Sequence, residues 1–505
     1  MESIKSRDAQ LYIGGNGGML HAFDNKTGKE TFAFIPTAVF PKLNKLTGKN
    51  YSHEYYVDGT PVVADVYDGS KWRTILVGTL RAGGKSLFAL DITNPNDIKL
   101  LWELDESSVA DKDLSGEKIN VKPGYSFPQP TVARLHNGKW AVVTGNGYKS
   151  TGANNGAAAL YIIDAITGEM IKSLEVQSPV AGGGENGLSS PRLADYDSDG
   201  IADYAYAGDL HGNLWRFDLL GDGSKPPQVT PPSNGNYGVK NGSTDNFKVS
   251  YGGKPMFAAT SSVGNRRQPI TSAPSLVRHP TRTGYLVMFG TGKYFEIGDK
   301  TGEENFAQTL YGIWDMKTKA EDTTSLENGA DTIARTQLQE QTITSEVTGT
   351  GKVSGKEREA RIISNNTVQW YKDSNSKKHI AKRGWYLDLT PSGFNGEMVI
   401  ENMKTLGSML LLQSLVPNDD PCANGSTTWL YAINPATGGR TVHHAFDTRT
   451  ANHGIVSAIK FGSEGGVSIS QNETGFTANA PGDSEPITPP AESMGRQSWR
   501  GVPDA

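Results

Sequence analysis

The sequence predicts an all-β protein, a modified seven-bladed β-propeller with long loop insertions. Two observations lead to this fold class. Glycine accounts for 59 of the 505 residues, about 12% against the ~7% of an average protein, and many short strands joined by tight turns need this much glycine. In addition, one strand-like segment recurs seven times along the chain, as expected for a repeat architecture.

The recurring segment is a short apolar run, rich in aromatic residues, that closes on Asp or Asn. Its seven copies are Leu20–Asp24, Leu87–Asp91, Leu160–Asp164, Leu214–Asp218, Leu310–Asp315, Trp385–Asp388 and Leu430–Asn434. Three copies continue into a Thr-Gly turn, at Thr27–Gly28, Thr167–Gly168 and Thr437–Gly438. Asp or Asn can bond its own backbone two residues on, and Gly accepts positive φ, so the turns are tight. Seven copies predict seven blades.

A second pattern supports blades of antiparallel strands. A strand-like segment that contains proline is followed, after a short loop, by an apolar strand that ends in glycine. The four pairs are Thr60–Ala64 with Ile75–Gly78, Gln129–Ala133 with Ala141–Gly145, Ser190–Ala194 with Tyr204–Gly208, and Ala273–Val277 with Tyr285–Gly290. Together with the recurring segment, each pair supplies three of the strands of a propeller blade.

The spacing of the recurring segments predicts insertions. The segments are on average about 68 residues apart, whereas regular blades repeat every ~40–50 residues. We expect the excess at about 221–268, which is dense in Gly, Pro, Asn and Ser, and at about 316–381. The second insertion contains a helix candidate near Asp331–Gln341. Insertions on a rigid ring are where partner contacts usually lie.

The propeller itself is predicted over residues 9–475. Residues 1–8 are expected to be an artificial start or a linker, with the natural chain beginning earlier. They lack the apolar core of a signal peptide, so we expect the signal peptide to be missing from this fragment. Residues 476–505 contain the proline-rich run Pro486–Pro490 and are predicted to form an extended C-terminal strap.

Composition and charge exclude several function classes. The net charge is −5 and no dense block of Lys or Arg occurs, which argues against a nucleic-acid partner. The longest apolar run, Met409–Val416, is far shorter than the ~18–20 residues of a membrane span. The single cysteine, Cys422, permits no internal disulfide. Neither a Ser/His/Asp arrangement nor a catalytic carboxylate pair is recognisable, so we expect no enzymatic activity.

The motif that carries chemistry runs from Asp195 to Asp203, in the sequence Asp-Tyr-Asp-Ser-Asp-Gly-Ile-Ala-Asp. Calcium takes roughly six to eight oxygen ligands at flexible angles, and alternate positions in a tight loop turn toward one centre. Four aspartates within nine residues repel one another unless a cation is present. The predicted ligands of a single calcium ion are Asp195, Asp197, Asp199, Asp203 and the backbone carbonyl of Ile201.

This loop is not an EF-hand. Its twelfth position is Tyr206, where an EF-hand places a bidentate Glu. The flanking segments Arg192–Ala194 and Tyr204–Ala207 are typical of strands, so we expect the loop at the tip of a β-hairpin within a blade. Magnesium fits less well because it requires stricter octahedral geometry and keeps its waters. The remaining alternative is a solvated acidic turn without metal.

Three parts of the sequence carry a resemblance to a known family. They are Leu11–Asp24, the aspartate loop with the following Gly208–Asp218, and Gly290–Phe295. On these residues the chain resembles the C-terminal domain of the PilY/PilC family, the tip-associated biogenesis factors and adhesins of bacterial type IV pili, and it is most similar to the Pseudomonas-type members. The likeness extends from about residue 8 to Arg500.

The resemblance implies a modified seven-bladed propeller with one calcium site, at the five ligands named above. It implies a protein at the cell surface or outside the cell, associated with the pilus and the outer membrane, that regulates pilus extension and retraction. Bound calcium would oppose retraction and thereby support surface pili, twitching motility, host-cell adhesion and virulence. The implied partners are pilins or minor pilins, together with host-cell receptors.

Two other function classes stay open at this stage. A quinoprotein-like propeller dehydrogenase would need a cofactor-binding centre, often with vicinal cysteines, and Cys422 stands alone. Absorbance after loading with pyrroloquinoline quinone and calcium would distinguish it. A carbohydrate-binding propeller adhesin would be distinguished by a glycan array.

Overall fold

The protein consists mainly of β-strands, as a computed structural model shows. The structure describes residues 7–152, 156–180, 185–220, 244–300, 306–318, 333–353, 356–374, 377–390, 393, 395–418, 426–446, 454–461, 467–472 and 475–490. Helical segments within these ranges are the 3-10 turns Thr37–Thr47, Thr244–Asn246, Ile297–Lys300 and Arg335–Gln337 and the helix Ser250–Gly253. None of the helices in the described ranges is long and apolar enough to cross a membrane. Cys422 and residues 221–243 of the first predicted insertion lie outside the described residues.

The chain divides into two compact units, and the first comprises Met1–Ala259, Pro269–Pro274 and Ala330–Thr332. Its four main sheets are numbered here in chain order. Sheet 1 contains Gln10–Gly14, Leu20–Asp24 and Glu30–Phe34; sheet 2 contains Val62–Tyr67, Trp72–Thr79, Leu87–Asp91 and Lys99–Leu104; sheet 3 contains Thr131–Arg134, Trp140–Gly145, Ala158–Asp164 and Met170–Val176; sheet 4 contains Arg192–Ala194, Tyr204–Gly208, Asn213–Asp218, Lys248–Val249 and Phe257–Ala258. Gly147–Tyr148 and Gly187–Leu188 form a small additional pair.

The second unit comprises Thr260–Gln268, Ser275–Gly329 and Ile333–Ala505, and it holds three main sheets. Sheet 5 contains Ser275–Arg278, Tyr285–Gly290, Thr309–Asp315, Gly384–Asp388 and Leu338–Gln341; sheet 6 contains Ile343–Val353, Lys356–Ile363, Ala458–Phe461, Thr427–Ile433, Met409–Val416 and Lys404–Leu406; sheet 7 contains Ser468–Asn472, Gly475–Ala480 and Asp483–Ile487. Tyr371–Ser374 and Lys377–Ile380 form a separate two-stranded ribbon.

Sheet 3 lies between sheets 2 and 4, because alternate side chains of its strands belong to two different hydrophobic cores. On the strand Ala158–Asp164, Tyr161 and Ile163 belong to the hydrophobic core shared with sheet 2. Leu160 and Ile162 belong to the core shared with sheet 4. Successive side chains of a strand point to opposite faces. A strand that is buried on both faces therefore has an uninterrupted apolar sequence. This explains why Leu160–Asp164 is one of the seven recurring segments.

The prediction of seven blades is confirmed, although one recurring segment was assigned to the wrong blade. The described residues form seven sheets of three or more strands. Leu310–Asp315 and Trp385–Asp388, however, are not in separate blades: they are neighbouring antiparallel strands of sheet 5, with Gly312 opposite Trp385. The seventh sheet is sheet 7, which carries no copy of the recurring segment.

Two local predictions are corrected by the structure. The helix candidate at Asp331–Gln341 is a 3-10 turn followed by the strand Leu338–Gln341, which pairs in parallel with Gly384–Asp388; residues 331–332 lie outside the described residues. The insertion at 316–381 supplies strands to sheets 5 and 6 as well as the ribbon.

The predicted strap at 476–505 begins as a β-hairpin. Gly475–Ala480 and Asp483–Ile487 pair along their length. The Arg358 guanidinium holds this hairpin against sheet 6, because it donates to both carboxylate oxygens of Asp483, at 2.7 and 2.6 Å. Charge-assisted bidentate pairs of this kind are geometrically specific. Residues 491–505 lie outside the described residues.

The glycines at or near the ends of these second strands serve close packing. None of Gly78, Gly145, Gly208 and Gly290 has positive φ. A Cβ at each position would come within 2.4 Å of a neighbouring residue: the Phe88 ring, the Leu188 carbonyl, the Ile270 side chain and the Val399 side chain respectively. A side chain at these positions would therefore push neighbouring segments apart.

We expect Gly208→Ala to destabilise the first unit by about 1–3 kcal/mol, the usual cost of overfilling a packed site. Its Cβ would lie 2.2 Å from Ile270 Cγ2. Gly17→Ala is the matched control, because a Cβ at Gly17 meets no atom within 4 Å. Urea denaturation of both variants measures the difference. Equal midpoints would mean that the backbone around Ile270 moves aside at little cost.

Candidate metal centre

The aspartate loop, residues 195–203, joins the first two strands of sheet 4, Arg192–Ala194 and Tyr204–Gly208. This confirms the expected hairpin position. The strands pair in register with Ala194 opposite Tyr204. Just inside that pair, the backbone N–H of Asp203 donates to the carbonyl of Ala194 at 2.8 Å and closes the loop. The base of the loop is therefore part of the sheet.

The tip of the loop adopts backbone conformations that ordinary residues avoid. Ser198 has a φ of 64° and Gly200 a φ of 85°. The left-handed region is open to Gly at no steric cost but is uncommon for Ser. These two positions bend the chain sharply between Asp197 and Ile201, as a loop wrapped around a small centre requires.

Three of the predicted ligands converge. Asp195, Asp197 and Asp203 each offer a carboxylate oxygen, and these oxygens all lie within 4.8 Å of one another. Asp199 stands beside them: its Oδ1 accepts from the backbone N–H of Ile201 at 2.8 Å. Its Oδ2 is buried and has no hydrogen-bond partner among the described residues. Coordination by the Ile201 carbonyl stays a prediction.

Backbone N–H groups of the loop orient the carboxylate of Asp195. Asp199 N donates to Asp195 Oδ1 at 3.1 Å and Gly200 N donates to Asp195 Oδ2 at 2.8 Å. A further contact joins Asp199 N to Asp197 Oδ1 at 3.3 Å. Each carboxylate oxygen has two lone pairs, so an oxygen that accepts one of these bonds can still bind a cation.

Two carboxyl groups of the loop, those of Asp197 and Asp199, have raised pKa values. Asp197 is largely exposed, but the partial burial of its carboxyl group raises its pKa, and the neighbouring charges of Asp203 and Asp195 raise it further. Burial likewise raises the pKa of Asp199, with contributions from Asp197, Asp195 and Asp203. A hydrogen bond from the backbone opposes the rise in both. Crowded carboxylates of this kind favour either protonation or a bound cation.

One residue of the site was missed by sequence reasoning. His136, in the turn between Thr131–Arg134 and Trp140–Gly145 of sheet 3, places its Nε2 2.9 Å from Asp203 Oδ1, and both side chains are buried. A carboxylate can only accept, so Nε2 carries the hydrogen. The other oxygen of Asp203 accepts from Tyr196 N at 2.7 Å. No local spacing signals His136, because it reaches the loop from the neighbouring sheet.

The donor set fits calcium better than softer metals. Every converging ligand atom is a carboxylate oxygen, the type of ligand that hard cations prefer. The unpartnered Asp199 Oδ2 adds a further oxygen that lacks a bond within the described residues. The loop is therefore a candidate site for a hard divalent cation.

Comparisons with known proteins place the chain in a family. The family model described as the PilY1 beta-propeller domain matches residues 1–354. Type IV pilus biogenesis factors PilY1 from two strains of Pseudomonas aeruginosa are 50% and 49% identical over 98% and 99% of this chain, and over 42% of their own length. A PilY1 homolog of Xylella fastidiosa is 35% identical over 85% of this chain and 26% of its own length. The chain thus spans about two fifths of its Pseudomonas relatives.

The fold agrees with a solved structure. The crystal structure of the Pseudomonas aeruginosa PilY1 C-terminal domain matches with a TM-score of 0.77 and 44% identity, over 97% of this chain and 94% of that one. Together with the seven sheets, this match confirms the predicted seven-bladed propeller. By family model, sequence relatives and fold, the chain belongs to the PilY1 β-propeller domain family.

Proposed function

We propose that this domain binds one calcium ion in its aspartate loop and serves a type IV pilus as a non-enzymatic biogenesis factor. The observation that supports it best is the convergence of Asp195, Asp197 and Asp203 next to the buried, unpartnered Asp199 Oδ2. The relatives named type IV pilus biogenesis factor PilY1 support the pilus role. Pilins or minor pilins and host-cell receptors are the proposed partners, at the cell surface.

In this proposal calcium acts as a switch. Without it, the pKa values of Asp197 and Asp199 are raised, first by burial and then by repulsion from the neighbouring carboxylates. A bound cation removes that repulsion and so has a different affinity for two states of the loop, which any ligand-driven change requires. The calcium-bound state opposes pilus retraction and thereby supports surface pili, twitching motility and host-cell adhesion.

Calorimetry of the domain should detect one calcium ion per chain, with a Kd on the order of micromolar, as in sensor-type loops. Asp197→Ala removes a converging oxygen and should weaken binding by more than about tenfold. Asp97→Ala is the matched control. Asp97 is an exposed aspartate that pairs with Lys99, and it lies far from the aspartate loop in the sequence. Unchanged binding in Asp197→Ala, or no calcium heat in the parent chain, would contradict the site.

Thermal melting should distinguish two effects of the Asp197 charge: it destabilises the metal-free protein, and it contributes to the stabilisation by calcium. Its pKa is raised in the folded state, so the folded protein favours the neutral form, and the neutral Asp197→Asn should raise the metal-free Tm slightly, on the order of 1 °C. The same variant should lose most of the calcium-induced stabilisation, which is about 2.7 kcal/mol at 100 times Kd. A lower metal-free Tm in Asp197→Asn would show that the charge of Asp197 does not destabilise the metal-free protein.

His136→Ala should lower calcium affinity about 10–100-fold, the usual effect of removing a residue that orients a metal ligand. The reason is that Asp203 Oδ1 loses its bond to His136 Nε2. His136→Gln, which keeps a side-chain N–H, should restore part of the affinity. Equal losses in both variants, with melting temperatures lowered equally, would assign His136 a purely structural role.

The pilus role is tested in cells that carry Asp203→Ala in the full-length protein. Surface pili and twitching should fall, and deletion of the retraction motor should restore the pili but not the twitching. Pili that stay absent without the motor would mean that the loop acts on assembly. Normal piliation with a demonstrably empty site would overturn the switch.

A further inference from the structure

Sheet 1 lacks a strand that the other main sheets of the first unit possess. Sheets 2, 3 and 4 each begin with a strand that pairs antiparallel with the next strand of the sheet, and the recurring segment comes third. In sheet 1 the recurring segment Leu20–Asp24 comes second, directly after Gln10–Gly14. Sheet 1 therefore contains the second, third and fourth strands of a blade, and its first strand is missing from the described residues.

The register between the strands supports this correspondence. In sheets 1, 3 and 4 alike, the glycine that ends the second strand lies opposite the leucine that begins the recurring segment: Gly14 and Leu20, Gly145 and Leu160, and Gly208 and Leu214. Gln10–Gly14 is therefore the second strand of its blade by pairing as well as by sequence.

The hydrogen bonds at both ends of this strand show which backbone groups face its open edge. Asn25 N donates to the Ala9 carbonyl at 3.0 Å, and Gly15 N donates to the Met19 carbonyl at 2.9 Å. In an antiparallel pair every second residue exchanges hydrogen bonds with the partner strand. Between residues 9 and 15, the odd-numbered residues therefore bond to the recurring segment.

The even-numbered residues Gln10, Tyr12 and Gly14 direct their backbone groups to the other edge of the strand. Within the described residues, no strand pairs with that edge. Unpaired backbone groups along a strand edge are a template for another strand, and folded proteins usually protect such edges with charged residues or proline. Gln10–Gly14 contains neither, so its sequence is that of a strand paired on both sides.

The side chains of this strand are also less covered than those of the corresponding strands. Leu11 is 56% and Ile13 51% exposed. The residues at the same positions in sheets 3 and 4 are fully buried: Val142 and Thr144, and Ala205 and Ala207. Large apolar side chains gain free energy from burial. The exposure of Leu11 and Ile13 thus agrees with a sheet that lacks part of its structure.

Chain order identifies the segment that supplies the missing strand. In sheets 2, 3 and 4 the first strand directly precedes the second, through the loops 68–71, 135–139 and 195–203. By this order the missing strand precedes Gln10, and the described residues 7–9 are too few for a strand and a loop. The Pseudomonas relatives are matched over 42% of their length, so those proteins contain further polypeptide outside the matched region.

We propose that the polypeptide preceding residue 7 in the full-length protein adds the missing first strand to sheet 1. The added strand runs antiparallel to Gln10–Gly14 and lies opposite residues 10–12, as Arg192–Ala194 lies opposite residues 204–206 in sheet 4. It supplies hydrogen-bond partners to the backbone of Gln10 and Tyr12. The region before the propeller is then joined to it by strand pairing, and this does not depend on the proposed calcium function.

Hydrogen exchange of the full-length protein, and of chains shortened stepwise from its N-terminus, tests the proposal. In the full-length protein the Tyr12 amide should be as protected as that of Val143, which lies opposite Thr131 of the first strand of sheet 3. In a chain that begins at residue 7, the Tyr12 amide should exchange at least about tenfold faster, because an edge open to water exchanges without global unfolding. Val143 should stay protected in both.

Two substitutions at Gln10 provide a second test. Gln10→Pro removes an N–H that faces the open edge and leaves the bonds to the recurring segment intact, and proline is tolerated at such positions. Gln10→Ala is the matched control, because it equally removes the side-chain bond to Thr31 but keeps the N–H. In the full-length protein, Gln10→Pro should accelerate exchange of the Tyr12 amide at least about tenfold, and Gln10→Ala should not.

Tyr12 protection that persists in the chain beginning at residue 7 would overturn the proposal. If that protection is lost on dilution of a dimer seen by light scattering, the edge pairs with a second copy. If it is lost only when residues 491–505 are removed, the C-terminal residues occupy the edge. Should the shortened chain not fold, equal exchange in the two Gln10 variants of the full-length protein would overturn the proposal. Calcium affinity should be the same in both variants, which separates this inference from the proposed function.

Discussion

A buried carboxylate needs a hydrogen-bond donor for each of its oxygens. Asp203 is buried at the base of the metal centre, and the two donors that it requires hold this base in place. Its side chain joins His136 of sheet 3 to the backbone of Tyr196. Its own backbone bonds to Ala194 and accepts from Leu219. Asp203 is therefore tied to two sheets at once. Any displacement of this ligand would break bonds in both.

The tip of the loop, in contrast, is exposed and has an unfavourable backbone conformation. Asp197 is exposed, and the neighbouring Ser198 holds a left-handed backbone, which is sparsely populated for residues other than glycine. Strain of this kind persists only where surrounding structure imposes it. Under the proposed function, a cation would act mainly on the tip, and the effect would reach sheet 3 through the bond between Asp203 and His136. His136 is therefore the residue that connects the loop to sheet 3.

The sequence was most informative where function depends on residues close together in the chain. The aspartate loop was found because its carboxylates lie within nine positions, and the loop geometry follows from that spacing. His136 could not be found in this way, since its partner Asp203 lies in the neighbouring sheet. For the same reason the helix candidate failed: pairing of Leu338–Gln341 with Gly384–Asp388 decided its structure, and tertiary pairing outweighs local propensity.

The second strands of sheets 2, 3 and 4 connect packing with function. Each ends at or near a glycine that has no room for a side chain: Gly78, Gly145 and Gly208. In sheets 3 and 4 the opposite end of this strand follows a turn of the candidate metal centre, which contains His136 in sheet 3 and the aspartate loop in sheet 4.

A strand pinned by close packing at one end holds the residues at its other end in place. Loops positioned by a rigid scaffold are where binding residues usually lie. Gly208→Ala should therefore disturb more than stability: by shifting the strand Tyr204–Gly208, it should also weaken calcium binding at the loop that precedes this strand. Gly78→Ala, in the corresponding position of sheet 2, should leave calcium affinity unchanged, because its strand holds none of the residues of the metal centre. Calcium titration of the two variants, each shown to be folded, measures the difference.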